Sequence, residues 1–207
     1  GQAAGTAAAL CASESCLPRD LTGGRLQTLQ RHLMEDDCWL PWIDRPPVPL
    51  LEEASFNLPG ATSPARNGWE RNWESADNAI RLEPGRALEL RWEAPRKVES
   101  LRLIFDSDLS DGKKMPCRYG LGDPRRELPG QLVRDFRIEV ETAPDSWEPL
   151  AAVRDNRRRL LVTDVRREIR GVRFTGQRAW KDGEVRLFSI EPHTHRLPPS
   201  RDIPDGP

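Results

Sequence analysis

Hydrophobic and polar residues alternate along much of the chain beyond residue 84. Leu88, Leu90 and Trp92 alternate with charged residues, and Trp92 is expected in the core because it is in phase with the two leucines. Similar alternation recurs at 101–106, 136–141, 147–153, 159–164, 171–174 and 185–190. Because successive side chains of a β-strand point to opposite faces of a sheet, this period predicts a series of short, half-buried strands.

Turn-forming residues separate these predicted strands. Glycine or proline occurs at 83–85, 94–95, 129–130, 143–145, 175–176 and 182–183. Glycine supplies positive φ angles and proline fixes φ at a value that turns require, so we expect a turn at each of these positions. Many short alternating strands with frequent turns predict a mainly β protein, an antiparallel β-sandwich or jelly roll.

The first 43 residues have a different pattern, which predicts two short helices. Small residues dominate 1–9, and Leu26, Leu29 and Leu33 then recur at the spacing of an amphipathic helix. Prolines 46, 47 and 49 cannot continue a helix and predict a semi-rigid linker. We therefore predict a helical segment, a Pro-rich linker, a β-sandwich and a Pro-rich tail, at 1–43, 44–50, 51–192 and 193–207.

Charge and composition narrow the functional classes. The 32 basic and 33 acidic residues give a formal net charge of -1, so the chain has no bulk attraction for nucleic acid or an anionic membrane. We therefore expect no nucleic-acid partner. We expect no membrane partner either, since no apolar run approaches the roughly 20 residues of a membrane helix. The four cysteines have no spacing typical of zinc or of a disulfide framework, and the three histidines support no nucleophile–histidine arrangement.

A resemblance to a known family begins at the first residue. The helix that ends the flavin domain of bacterial FAD-dependent oxidoreductases is similar to Gly1-Gln2-Ala3-Ala4-Gly5-Thr6-Ala7-Ala8-Ala9, and the similarity continues at 17–21 and 26–33. The resemblance implies a helix N-terminus that approaches the flavin, with Gly1, Gln2, Ala3 and Gly5 at the fringe of an FAD site. Alternatively, Gly5 permits tight helix packing. The Gly-x-Gly-x-x-Gly fingerprint of a dinucleotide site does not occur, so this chain is not expected to hold FAD by itself.

The alternating region resembles discoidin-like (galactose-binding-like) jelly-roll domains. The similarity rests on the order of the segments 73–77, 87–92, 98–106, 172–174 and 185–190. Such domains commonly follow the flavin domain in the oxidoreductases named above. Together the two resemblances imply the C-terminal portion of an FAD-dependent oxidoreductase of unknown substrate. The β-sandwich would be an accessory domain, the flavin domain would be supplied in cis or in trans, and this chain alone would catalyse nothing.

Acidic residues after the 101–106 strand are the best candidates for a metal site. Asp106, Asp108 and Asp111 are spaced so that their oxygen atoms could converge on Ca²⁺ where glycine lets the chain turn. A solvated turn is the alternative interpretation. His193 and His195 lie on one side of an extended segment, but no further ligand is tied to them by spacing. We therefore expect a disordered segment or a surface strand end there.

Tryptophans outside the alternating pattern are the candidates for ligand recognition. Trp69, Trp73, Trp147 and Trp180 lie at predicted strand ends or in loops, beside charged residues, and Trp69, Trp73 and Trp180 are the candidates for a glycan site. Amphipathic rings in such places can stack on sugar faces, cap the ends of a core, or pack one domain against its neighbour. The sugar interpretation predicts an alternative function, a non-catalytic carbohydrate-binding or protein-interaction module with a glycan as its partner.

Overall fold

The protein is described here by a computed structural model of residues 1–109, 128–181 and 183–200. Two compact units divide the chain, Gly1–Pro46 and Pro47–Pro207. The division falls between consecutive prolines, inside the segment 44–50 that was predicted to be a linker. No helix within the described ranges has the length and apolarity needed to cross a lipid bilayer.

The first unit is helical. It contains α1 (Gln2–Glu14), a single 3₁₀ turn (Pro18–Asp20) and α2 (Gly24–Glu35). α1 ends at Ser15, whose left-handed φ of 51° turns the chain so that the amide of Cys16 donates to the carbonyl of Cys11 at 3.0 Å. Two apolar side chains from each helix are buried, namely Leu10, Cys11, Leu33 and Met34. Both predicted helices are therefore present, around a very small core.

The second unit is an antiparallel β-sheet with two short helices. The helices are α3 (Pro49–Glu53) and α4 (Pro59–Arg66), each with a proline in its first turn, where the missing N–H costs no hydrogen bond. The strands are β1 (Ser55–Phe56), β2 (Ile80–Leu82), β3 (Ala87–Phe105), β4 (Val133–Ala143), β5 (Ser146–Val153), β6 (Leu160–Ala179) and β7 (Val185–His193). Among the described residues the order is β2-β7-β3-β6-β4-β5, with β1 paired to β3.

β3 and β6 are longer than predicted, because two expected turns lie inside them. The Ala94-Pro95 pair falls where the β3–β6 register shifts between Arg91 and Arg96, so the missing N–H of Pro95 interrupts no regular ladder. At Gly176, an added Cβ would lie 2.4 Å from Val185 Cγ1. Glycine there permits a close approach of β7. The turns predicted at 94–95 and 175–176 were therefore wrong.

The sheet forms two layers because β3 and β6 each contribute to both. The first half of β3 pairs with the second half of β6, which also pairs with β4, while the second half of β3 pairs with β7 and with the first half of β6. Phe105 on one layer meets Phe136 and Phe174 on the other, with ring centroids 4.9 and 6.0 Å apart. This arrangement confirms the predicted fold class, an antiparallel β-sandwich of the jelly-roll type preceded by a short two-helix segment.

The core of the sandwich holds the residues that the alternation predicted. Leu88, Leu90 and Trp92 are all buried, and the indole Nε1–H of Trp92 donates to the carbonyl of Leu50 at 2.7 Å. This bond ties α3 to β3. The helices α3 and α4 themselves were not predicted, since their apolar residues are too few to show a helical period.

The segment after β7 continues along the sandwich. Ser200 exchanges two hydrogen bonds of 2.9 Å with Val162 on β6, one through its amide and one through its hydroxyl. The hydroxyl of Ser100 donates to the carbonyl of His195 at 2.8 Å, and Leu197 is buried. Residues 194–200 of the predicted tail thus lie against the sandwich, and the tail residues 201–207 lie outside the described ranges.

Candidate functional site

Two exposed tryptophans form a stacked pair on one loop. Trp69 and Trp73 lie in the irregular segment 67–79, the tryptophan loop, between α4 and β2. The two residues are 39% and 41% exposed, and their ring centroids are 6.2 Å apart with an interplanar angle of 24°. Exposed tryptophan rings are uncommon on a protein surface, because the indole buries a large apolar area when it can. The paired rings therefore form an apolar surface in an otherwise polar loop.

Asparagine side chains form hydrogen bonds within the tryptophan loop. The amide of Trp69 donates to Asn67 Oδ1 at 2.8 Å, and Asn67 Nδ2 donates to Asn78 Oδ1 at 3.0 Å. Asn78 closes the loop from the other side, because its amide donates to Asn72 Oδ1 and its side chain donates to the carbonyl of Arg71, both at 3.0 Å. Asparagine side chains commonly form such hydrogen bonds with nearby backbone groups, as an alternative to the bonds of a helix or a sheet. These bonds add to the single antiparallel β-bridge of the loop, between Trp73 and Ala76.

A buried ion cluster fastens the tryptophan loop to the sheet. We use this name for Arg102, Glu70 and Glu191, whose side chains are 0%, 11% and 6% exposed. The two terminal nitrogens of Arg102 bond the two carboxylate oxygens of Glu70, with Nη2–Oε2 at 3.1 Å, and Nη1 also bonds Glu191 Oε2 at 3.1 Å. Arg159 donates to the carbonyl of Glu70 and, at 3.0 Å, to that of Phe105. The side chain of Glu70 is thus bonded to Arg102 on β3, and its backbone to Arg159, which directly precedes β6.

The far end of the tryptophan loop is held by Asp77. Its carboxylate accepts hydrogen bonds from Arg81 and, at 2.9 Å, from Arg186 on β7. Burial opposes the charged form of Asp77. However, the bonds from Arg81 and the Ala79 amide, with the positive charge of Arg186, outweigh burial and lower its pKa below the ordinary aspartate value. Asp77 is therefore a stable anion that joins the loop to β7.

A polar cleft adjoins this ion pair. Its volume is about 290 Å³, near the lower end for small-ligand sites. Arg186 lies in its wall and is held by Asp77 and by Asp106 Oδ2, each at 2.9 Å. The described lining residues are Asp108, Gly130, Gln131, Ala179, Lys181, Gly183, Glu184 and Arg186. The cleft presents hydrogen-bond donors and acceptors of both charges.

The predicted metal residues are engaged in other contacts where they are described. Asp106 is buried and accepts hydrogen bonds from Arg186 Nε at 2.9 Å and from the amide of Asp108 at 2.7 Å. Asp111 lies outside the described residues. Within the described ranges, no group of three or more histidine, cysteine or carboxylate side chains is placed to hold a metal ion. Asp106 therefore acts there as an acceptor for an arginine and a turn.

Trp180 is placed differently from the stacked pair. It follows β6, packs half-buried against the core, and donates from Nε1 to the carbonyl of Asn156 at 2.7 Å. The guanidinium of Arg134 lies 4.5 Å from the centre of its ring. These contacts favour the core-capping alternative for Trp180. The structure brings together two of the three predicted sugar-binding tryptophans.

The predicted fringe of the FAD site lies at the start of α1. Gly1 is the N-cap, Gln2 and Ala3 lie in the first turn, and Gln2 Nε2 donates to the carbonyl of Asp36 at 3.3 Å. A Cβ added at Gly5 would meet no atom of the described residues within 4 Å. The close approach that Gly5 would allow is thus not made within the described ranges. FAD remains a prediction.

The two histidines lie together at the end of β7. Their ring centroids are 5.1 Å apart, and His193 Nε2 lies 3.4 Å from Glu191 Oε2. His193 is buried, since the segment that follows it continues along the sandwich. The expectation of a disordered or surface strand end was therefore wrong for His193.

Comparisons with known proteins identify no family for the chain. No protein-family model matches it, and no curated protein sequence does. It is similar in structure to chitosan-binding module 1 of a chitosanase/glucanase from Paenibacillus sp. IK-5, at 12% identity and a TM-score of 0.45, over 68% of this chain and 92% of that chain. It is also similar to the family 32 carbohydrate-binding module of Streptococcus pneumoniae EndoD, at 15% identity and a TM-score of 0.37, over 53% and 69%. The fold assignment rests on the strand order and register given above.

Proposed function

We propose that the Pro47–Pro207 unit is a non-catalytic carbohydrate-binding module and that Trp69 and Trp73 are its sugar-stacking surface. The stacked, exposed pair of rings on a fastened loop is the observation that carries this proposal. A sugar ring presents C–H groups on one face and hydroxyls around its edge. Indole rings suit the apolar face, and the polar groups of the loop and of the adjoining cleft suit the hydroxyls.

The bonds that order the tryptophan loop and hold it to the sheet favour a high affinity for a ligand. Ordering a flexible loop when a ligand arrives costs conformational entropy, which lowers the affinity. The asparagine bonds and the buried ion cluster order this loop beforehand. A surface that served only to cap the core would bury its rings, whereas Trp69 and Trp73 keep about two-fifths of their surface exposed.

A glycan-array screen of the full chain tests this proposal. We expect wild-type protein to bind at least one class of glycan, and Trp69→Ala and Trp73→Ala each to weaken that binding at least tenfold. Trp147→Ala is the matched control, because Trp147 lies against Arg91 and Arg173 on the outer side of the other layer. Wild-type protein that binds no glycan, or an equal loss in the control, would contradict the proposal.

The exposed apolar residues of the helical unit support a second candidate function. This unit buries four apolar side chains but exposes five large ones, Leu17, Leu26, Trp39, Trp42 and Ile43, with Trp42 98% exposed. So small a core cannot offset the entropy cost of folding by itself. We therefore keep the proposal that the chain is the C-terminal portion of an FAD-dependent oxidoreductase whose flavin domain covers these residues.

Sequencing the coding DNA before Gly1 tests the second candidate. An in-frame strand followed by Gly-x-Gly-x-x-Gly would support it, and Gly1, Gln2, Ala3 and Gly5 would then be examined at the cofactor. A start codon directly before Gly1, with no binding to a separately encoded flavin protein, would rule it out. The sugar-binding proposal survives either result, because it concerns the other unit.

A further inference from the structure

Arg102 is a fully buried charge on the outer side of its layer. It lies between Leu101 and Leu103 on β3, and those two leucines point into the core of the sandwich. Burying a guanidinium costs several kcal/mol of hydration, and a well-packed apolar side chain is often as stabilising. The arginine is therefore weak evidence for stability. What it does specify is the position of whatever its five N–H donors bind.

The group that Arg102 positions is Glu70, in the tryptophan loop. Glu70 follows Trp69 directly and precedes Trp73 by three residues. Its two carboxylate oxygens face the two terminal nitrogens of Arg102, and its carbonyl accepts from Arg159. A paired contact of this kind fixes orientation as well as distance. The loop therefore cannot rotate over the sheet without breaking charge-assisted bonds.

We infer that Glu70 is the positioning residue of the Trp69–Trp73 surface, because its contact with Arg102 fixes the geometry of the ring pair. The inference rests on the proposed sugar-binding function and assigns Glu70 no contact with the sugar. Removing the carboxylate leaves both rings present but lets the loop sample other conformations. The affinity for the sugar falls, because the variant loop must be ordered when the sugar binds and the entropy lost in ordering it opposes binding.

Glu70→Gln and Glu70→Ala in the full chain separate positioning from folding. Glutamine keeps one oxygen acceptor for Arg102, and Arg102 keeps Glu191 at 3.1 Å in both variants. The first readout is the exciton couplet of the stacked indoles in far-ultraviolet circular dichroism, measured without sugar. The second is affinity for the methyl β-glycosides of glucose, galactose and N-acetylglucosamine by calorimetry. Thermal unfolding is followed in parallel.

The expected results follow an order. Glu70→Ala loses most of the couplet and binds the preferred glycoside about tenfold or more weakly, and Glu70→Gln lies between it and the wild type. Both effects appear well below the unfolding temperature. Glu89→Gln is the matched control, because Glu89 accepts from Arg173 at 2.8 Å on the other layer. We expect it to keep the couplet and the affinity.

An unchanged couplet and affinity in Glu70→Ala would overturn the inference. A lower unfolding temperature with the couplet intact would also overturn it, since Glu70 would then be structural only. If wild-type protein binds none of the three glycosides and no glycan on the array, the proposed function fails. The couplet still decides the positioning role in that case, because it needs no ligand.

Discussion

At the residue scale, alternation along the strand predicts the face on which Arg102 lies but not whether that face is buried. The pattern places Leu101 and Leu103 on one face and Arg102 on the other, as the structure does. It does not tell whether a loop covers that second face. Here the tryptophan loop does, so Arg102 is fully buried against Glu70 and Glu191.

The close contact at Gly176 predicts that adding a single β-carbon there destabilises the fold. Replacing Gly176 by alanine would place Cβ 2.4 Å from Val185 Cγ1, which lies in a buried part of β7. The strand must shift to relieve this contact, and we expect a loss of about 1–3 kcal/mol in the free energy of unfolding. Urea titration measures the loss.

Gly60→Ala is the control for this substitution. Gly60 lies in α4, where an added Cβ would meet no described atom within 4 Å. Because alanine favours a helix over glycine by up to about 1 kcal/mol, the control should be neutral or stabilising. Equal losses at the two positions would show that close approach of β7 does not explain Gly176.

The lowered pKa values of Asp77 and Asp135 predict how the stability of the fold depends on pH. Burial opposes ionisation of Asp77 and of Asp135. Even so, the hydrogen bonds and arginines around them lower the pKa of both, with Arg81 and Arg186 beside Asp77 and Arg178 beside Asp135. A lowered folded-state pKa contributes stability above the unfolded value, about 3.9 for aspartate, and that stability is lost as the pH falls through the folded value.

The measurement is a series of urea unfolding curves between pH 6 and pH 2.5. We expect the midpoint to fall steeply below about pH 4, where the unfolded chain binds protons more readily than the folded one. Asp77→Asn and Asp135→Asn should each flatten that fall and lower stability at pH 6. A wild-type midpoint that rises on acidification would contradict the assigned pKa directions.

At the element scale, strand identity could be predicted from the sequence and strand length could not. The segments around Leu88, Phe136 and Val185 were predicted from their period of two, and all lie in strands. Pro95 and Gly176 were wrongly interpreted as turn residues, because proline and glycine also occur inside strands, at a register shift for Pro95 and at a close approach of β7 for Gly176. Whether such a residue lies in a turn or inside a strand depends on the neighbouring strand, and a local pattern does not contain that information.

Trp92→Phe tests how α3 is attached to the sheet. The change removes the indole N–H that donates to the carbonyl of Leu50 and leaves that carbonyl without this bond. It also reduces the volume of a side chain in the core. We expect a loss of about 1–3 kcal/mol in the free energy of unfolding, measured by urea titration. An unchanged midpoint would show that this contact does not hold α3.

At the scale of the whole molecule, the two units differ in how much core they contain. The sandwich unit has a continuous core that reaches from Leu50 to Ile190, whereas the helical unit buries four apolar side chains. The division between them falls inside the segment 44–50, which was predicted to be a linker from its prolines. The tryptophan loop was only partly predictable. Its exposed rings were identified from the sequence, but the asparagine and arginine bonds that order it join residues far apart in the chain.

Expressing the units separately tests this difference. We expect residues 47–207 to unfold cooperatively with the same midpoint as the sandwich in the full chain, and residues 1–46 to show little stable structure. Circular dichroism and calorimetry measure both. A cooperative transition in the helical fragment would contradict the claim that its core is too small to fold alone, and an unfolded 47–207 fragment would contradict the division between Pro46 and Pro47.

The most direct test of the central claim is an NMR titration that follows the indole N–H signals of the full chain as the preferred glycoside is added. The Trp69 and Trp73 signals, assigned by substitution, should shift with the same saturation curve. The Trp92 and Trp180 signals should stay in place, because their indoles are bonded to the carbonyls of Leu50 and Asn156. Shifts confined to Trp180, or no shift with any glycoside, would contradict a sugar-binding surface at Trp69 and Trp73.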